Sequence, residues 1–355
     1  MIIDIHGHLS PPEAARRFPM PPSLTDVDGM LAARAQAGID LTIIGSPVGA
    51  GAMARVPGVD NYAQPRDRLR AFHAWMSGLI GTFPDQLRGY VYANPFGDDD
   101  HLEGVRQTLA DPAFVGLITT SSVHGELLGS PRADSFFALA AEAAVPVLVH
   151  APAEPAGTER VTDFGFVEQI GRFGDLTSGL AMIAFAGWLD KYPGLRLIGA
   201  TGGGALALLP ERLQTAARPR HWAPAAAGPG ERPPTRERPP TRERPPTGER
   251  PPTREHPPTR EHPPTSERPP SVTADPGAAL RRLYVDTSTT SAAHLRLNAE
   301  VLGPDRMLLG TDSPPLASPL EDHLRMIEKL PIDQEAQQRI LGGNAEALFD
   351  LRRRP

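Results

Sequence analysis

His6 and His8 stand two residues apart at the close of the first apolar run, Ile2-Ile3-Asp4-Ile5-His6-Gly7-His8. In an extended strand, side chains at i and i+2 leave from the same face. Two neutral imidazoles converging at a strand end are the beginning of a divalent-metal site. Asp4, one alternation further back, shares that face and is a candidate to orient a ligand, with a buried structural role as the equal alternative. A lone His-x-His carries little weight. A chain with 11 His in 355 residues meets one by chance about once in three sequences. Its value rests on whether further ligands fall where a fold would gather them.

The elements that would gather them are short β-branched or apolar runs at 2–6, 41–46, 89–94, 115–119, 145–150, 195–200, 283–287 and 307–311. Helical patterns lie between them. One spans 135–144, with Phe136, Phe137, Leu139 and Ala140 at helix-like spacing, and another spans 180–192. Strands alternating with helices imply parallel β-α units, and eight of them imply a closed (β/α)8 TIM barrel. Chemistry in such barrels sits at the C-terminal ends of the strands. His6 and His8 end the first run, His150 ends the fifth, and Asp312 follows the eighth.

From His8 to His150 is 142 residues over four units, about 36 each. From His150 to Asp312 is 162 over three units, which is too many until a 42-residue tract is set aside. The remaining 120 give 40 per unit. Three His and one Asp from strand ends 1, 5 and 8 would form one site with a position left for water or substrate.

That tract, 231–272, repeats a six-residue unit seven times, beginning E-R-P-P-T-R. Two prolines per repeat and almost no apolar residues predict an extended, polyproline-II-like, disordered insertion between strands 6 and 7, leaving 1–230 and 273–355 as one barrel. It would suit a proline-recognition partner, although loop expansion by repeat slippage explains it more simply. His256 and His262 belong to the repeat and are not counted as ligands.

Composition narrows the classes further. A hydrophobic content of 40% supports a sizeable core, and no run of 18 apolar residues is available to span a membrane. No secretion-type leader opens the chain, so a cytoplasmic enzyme is expected. The absence of cysteine excludes disulfides, thiolate nucleophiles and Cys-based zinc sites. A net charge of −6 gives no general reason to expect nucleic acid or an anionic membrane as partner.

Several segments together resemble the amidohydrolase superfamily, in the branch that contains aminocarboxymuconate-semialdehyde decarboxylase. They are Asp4-x-His6-x-His8, the stretch from Ser130-Pro131-Arg132 to Phe137, Pro146-Val147-Leu148-Val149-His150, the stretch from Gly187-Trp188 to Leu197-Ile198, Gly310-Thr311-Asp312-Ser313-Pro314, and the stretch from Ile340-Leu341-Gly342-Gly343-Asn344 to Phe349. The resemblance implies a barrel with one divalent metal, Zn2+ first and Mn2+ second, held by His6, His8, His150 and Asp312. It implies non-oxidative decarboxylation of a small unsaturated or aromatic carboxylic acid, with Asp312 delivering the proton to carbon. It also points to a homodimer.

Two departures matter. The family carries His-Gly-Gly-Gly after strand 6, where this chain reads Thr201-Gly202-Gly203-Gly204. A threonine hydroxyl does not titrate near neutrality, although it would still hydrogen-bond a carboxylate or orient a water. After strand 4, His124-Gly125 stands where relatives often have Asn before Gly, so His124 is a candidate for the lost acid/base function, with a loop residue of no role as the alternative. His73 and His294 are weaker candidates. Arg55, Arg66 and Arg68 are candidate anchors for an acidic substrate, against the simpler reading of solvated surface arginines. Hydrolysis of an amide, ester or lactone by the same metal shell is the runner-up, and a weakly active metal-binding scaffold is the third reading.

Overall fold

Eight parallel strands form the frame of the computed structural model, which describes residues 1–214, 275–315 and 318–351. They are β1 (Ile3–Gly7), β2 (Leu41–Ile44), β3 (Leu87–Tyr92), β4 (Phe114–Thr120), β5 (Val147–His150), β6 (Leu197–Gly199), β7 (Tyr284–Asp286) and β8 (Met307–Leu308). Each pairs with the next in chain order. The remaining gap is spanned by Ile5 N–H to the Leu309 carbonyl (2.9 Å), Asp312 N–H to the His6 carbonyl (2.9 Å), and a parallel bridge between Gly7 and Ser313. This is the (β/α)8 barrel, and all eight strands fall on the eight apolar runs. The repeat tract lies outside the described residues, in the connection from β6 to β7.

The strands are largely apolar because both faces are covered. Ile3, Ile5, Ile43, Val91, Leu117, Val147, Val149, Ile198, Val285 and Leu308 are all fully buried. Each such side chain contributes roughly 1.5–3 kcal/mol relative to remaining in water. Helices form the outer ring, among them α1 (Val27–Ala37), α2 (Arg66–Thr82), α3 (Asp99–Leu109), α4 (Asp134–Ala143), α5 (Arg172–Phe185) and α6 (Ala292–Val301). Three N-termini show why they start where they do. Asp26, Asp98 and Ser291 accept hydrogen bonds from Gly29, His101 and His294 N–H, satisfying donors that have no partner within the helix.

α4 buries Phe136, Phe137, Leu139 and Ala140, the four residues whose spacing marks it as a helix. The single helix expected over 180–192 is instead the end of α5 and a separate turn, Trp188–Lys191. Gly187 divides them at φ +77°, a left-handed conformation that glycine adopts without a Cβ penalty.

Candidate metal centre

The C-terminal strand ends bring His6, His8, His150 and Asp312 together. One ligand atom from each lies within 4.8 Å of all the others. His6 lies one residue before the end of β1, His8 directly follows the strand, and His150 is the last residue of β5. Asp312 sits just past β8 at φ +54°, a left-handed turn that Asp tolerates better than most residues.

Each imidazole is held by its Nδ1. His6 Nδ1 is 2.6 Å from Asp286 Oδ2, His8 Nδ1 is 2.9 Å from the Gly45 carbonyl, and His150 Nδ1 is 2.8 Å from the Ala151 carbonyl. A carbonyl only accepts, so the proton of His8 and of His150 is on Nδ1 and the Nε2 lone pair faces inward. The Asp286 carboxylate imposes the same tautomer on neutral His6. All three Nε2 atoms face Asp312 Oδ1, at 3.5 Å from His6, 2.9 Å from His8 and 3.8 Å from His150. The rings stand nearly perpendicular to one another, with centroids 4.9–5.3 Å apart.

The donor set fits a divalent cation. Ligands at about 2.0–2.1 Å in a tetrahedron lie about 3.3 Å from each other, and His6 Nε2 and His8 Nε2 are 3.1 Å apart. Buried His150 Nε2 has no hydrogen-bond partner among the described residues. A buried imidazole nitrogen left bare costs free energy unless it meets a cation or a donor.

Charge at the site follows from the packing. Burial opposes ionisation of His6, but the combined pull of Asp312, Asp286 and Asp4 outweighs it and raises its pKa to about 9. Burial lowers the pKa of His150. Burial works against ionising Asp312 too, yet the positive charge of His6 beside it holds its carboxyl well below the usual range. Without a cation, the cluster therefore keeps one proton on His6 and a carboxylate on Asp312.

Asp4 touches no imidazole. Its Oδ1 accepts from His6 N–H (3.1 Å) and Thr311 N–H (3.0 Å), and its Oδ2 accepts from Thr311 Oγ1 (2.7 Å) and Arg34 Nη2 (3.2 Å). Arg34, on α1, also donates to the Ser313 carbonyl and to Thr42 Oγ1. The pair thus ties β1 to the turn that carries Asp312. Asp4 supports the backbone, while the carboxylate that orients a ligand ring is Asp286. Asp286 is the last residue of β7, inside the apolar run 283–287, and nothing in the run singles it out. Nor does any sequence pattern mark Arg34.

The strand-6 loop acts through its backbone. Gly202 N–H donates to Asp286 Oδ1 (2.8 Å) and Thr201 N–H donates to Ser288 Oγ (3.0 Å), while Ser288 Oγ donates to Asp286 Oδ2 (2.7 Å). Gly202, at φ +65°, has no room for a side chain: a Cβ would come within 2.7 Å of the His294 ring. His294 therefore packs against this loop.

His124 lies elsewhere. With Gly125 it forms the two-residue turn of a short hairpin, Ser122–Val123 paired with Glu126–Leu127. Both turn residues have positive φ, +50° and +78°. That turn favours Asn-Gly for conformational reasons, and His is among the residues that tolerate it. The His124 side chain is 59% exposed and sits 3.3 Å from Asp60 Oδ2. The departure that singled it out is explained by backbone geometry.

His73 is structural, with Nε2 accepting from Tyr92 N–H at 3.1 Å. Arg66 pairs with Asp98 and Asp100 on the surface, and Arg55 pairs with Glu154. Arg68 lies on α2, along a separate groove with Phe72 and Trp75.

A cavity of about 320 Å³ opens against His8, His150 and Asp312, and neither His124 nor Thr201 lines it. Its wall is largely apolar, with Leu9, Met20, Leu24, Val48, Met53 and Phe164. Glu168 and Arg172 also line it, and only their i, i+4 spacing marked them in the sequence.

Fold and site together define a barrel metalloenzyme with its centre at the strand ends. A family model for amidohydrolases matches residues 3–246 and 244–351, and the chain belongs to that family as a metal-dependent enzyme. Its fold is similar to that of 5-carboxyvanillate decarboxylase from Sphingomonas paucimobilis, with a TM-score of 0.71 at 17% identity over 98% of each chain. It is also similar to 2,6-dihydroxybenzoate decarboxylase from Rhizobium, with a TM-score of 0.68 at 15% identity over 99% of each chain. A dihydroxybenzoic acid decarboxylase from a Polaromonas species, solved with manganese and the inhibitor 2-nitroresorcinol, gives a TM-score of 0.70 at 17% identity, over 99% of this chain and 97% of that one.

Proposed function

We propose that this enzyme is a decarboxylase of small aromatic or unsaturated carboxylic acids. The observation that carries the reading is the convergence of three imidazole Nε2 atoms on one Asp312 oxygen, at the wall of an apolar cavity. The acids named for the solved decarboxylases of like fold support it, as does the manganese in one of them. His6, His8, His150 and Asp312 would hold the cation, zinc or manganese. Bound there, it would supply Lewis acidity and a template for the substrate's carboxylate or a neighbouring oxygen.

The protein's own groups do the rest. The Nδ1 partners fix the rings, and the apolar wall receives the substrate's carbon skeleton. As the C–C bond breaks, CO2 leaves and the carbon keeps the electron pair, taking a proton that the Asp312 carboxylate relays from water, which is left as hydroxide. Thr201 contributes through its loop, whose N–H groups support Asp286 and Ser288.

The test is product analysis on protein loaded with zinc or with manganese, across hydroxybenzoates and muconate-like acids. The reading predicts CO2 and the decarboxylated product. Release of an acid together with an amine or alcohol, from amide, ester or lactone substrates alone, would establish hydrolysis instead.

A further inference from the structure

One stretch of the cavity wall is charged. Glu168 lies in the π-helical turn Val167–Gly171 and Arg172 begins α5, so they sit one turn apart on a continuous helical path. Arg172 Nη1 pairs with Glu168 Oε1, and Nη2 donates to the Met53 carbonyl. Arg172 Nε is buried and has no hydrogen-bond partner among the described residues. Arginine offers five N–H donors arranged to grip a carboxylate with two of them, and these two contacts leave part of that capacity unused. Burial lowers the pKa of Arg172 and raises that of Glu168, and the charge of Asp312 acts on both. A half-buried ion pair adds little to stability compared with apolar packing, so its place on a largely apolar stretch of the cavity wall calls for another use.

We propose that Arg172 determines substrate specificity by binding a second anionic group of the substrate, so that the preferred ligand is a diacid with an apolar body. Glu168 is the positioning partner. It holds the guanidinium at the wall when the cavity is empty and competes with the incoming carboxylate. This inference rests on the reading of the cavity as the substrate site.

The experiment is equilibrium binding, by calorimetry, to the full-length manganese-loaded protein. The probes are benzene-1,3-dicarboxylate and benzoate, which lack the ring hydroxyl of the acids named above. The wild type should bind the diacid at least tenfold more tightly than benzoate. Arg172→Met should reduce that preference about 10–100-fold, the strength of one charge-assisted contact, with little change for benzoate. Arg172→Lys should retain part of it. Glu168→Gln should tighten diacid binding several-fold by removing the competing carboxylate.

Equal preference in wild type, Arg172→Met and Glu168→Gln would overturn the proposal. If Arg172→Met does not fold, Glu168→Gln decides: tighter diacid binding supports the anchor, and unchanged or weaker binding refutes it. Discrimination between the two acids without CO2 release from any hydroxylated acid would refute the decarboxylase reading and leave the anchor standing.

Discussion

Replacing Asp286 by Asn tests how the metal centre is held, because the change keeps the shape and alters the proton pattern. Asp286 Oδ2 lies 2.6 Å from His6 Nδ1, and Oδ1 accepts from Gly202 N–H (2.8 Å) and Ser288 N–H (3.1 Å). An Asn side chain can preserve only one of these arrangements. With its oxygen toward the two N–H groups, its NH2 faces His6 Nδ1. The proton of His6 then moves to Nε2, where it blocks the lone pair that a cation needs. With the amide turned round, two buried N–H donors face an NH2 group and lose their acceptor, each at about 1–3 kcal/mol. Loss of a ligand-orienting carboxylate typically lowers metal affinity 10–100-fold, or about 1.4–2.7 kcal/mol. Asp286→Asn should therefore bind zinc at least tenfold more weakly. Asp286→Ala should do no worse, since Ser288 Oγ lies 3.4 Å from His6 Nδ1 and is able to accept a hydrogen bond from its N–H. The assay is competition against a chelator of known affinity, with circular dichroism to confirm folding. Wild-type affinity in folded Asp286→Asn would refute the argument.

Three further outcomes follow from the same geometry. Arg34→Met leaves the Asp4 carboxylate buried without its counter-charge; this should cost about 3–5 kcal/mol and lower the thermal midpoint by roughly 5–8 °C, as read by calorimetry. His6, raised to about 9, is protonated at pH 7 in metal-free protein. Cation uptake should then release about one proton, and affinity should fall about tenfold per pH unit below 9 and level off above it; calorimetry in buffers of different ionisation enthalpy measures this, and an uptake with no proton release would contradict it. His124→Asn keeps a turn residue suited to φ +50°, so kcat/KM and stability should both stay within about twofold, or 0.4 kcal/mol. A large loss of kcat with KM unchanged would return His124 to the chemistry.

The barrel was legible because each strand is a short, doubly buried apolar run, and His150 and Asp312 close such runs. The even spacing of the four ligands, once the repeat is set aside, made the centre legible as well. What stayed hidden depends on partners far apart in the chain. Asp286 meets His6 across 280 residues, and no local pattern announces that contact. Asp4 shares the face of His6 and His8 by alternation, yet its carboxylate is turned to backbone donors and Arg34, which alternation alone does not reveal. His124 drew attention as a titratable residue at an unusual position, whereas the position selects for positive φ. Glu168 and Arg172 sit where an irregular helical turn enters the cavity wall, and their spacing alone resembles that of any surface ion pair.

Elemental analysis of protein dialysed against zinc, and separately against manganese, tests the central claim most directly when combined with anomalous diffraction. One ion per chain is expected, within about 2.0–2.2 Å of His6, His8 and His150 Nε2 and an Asp312 oxygen, and less than a tenth of that occupancy is expected in the His6→Ala, His8→Ala double variant. A chain that takes up neither metal, or a double variant that retains full occupancy, would contradict it.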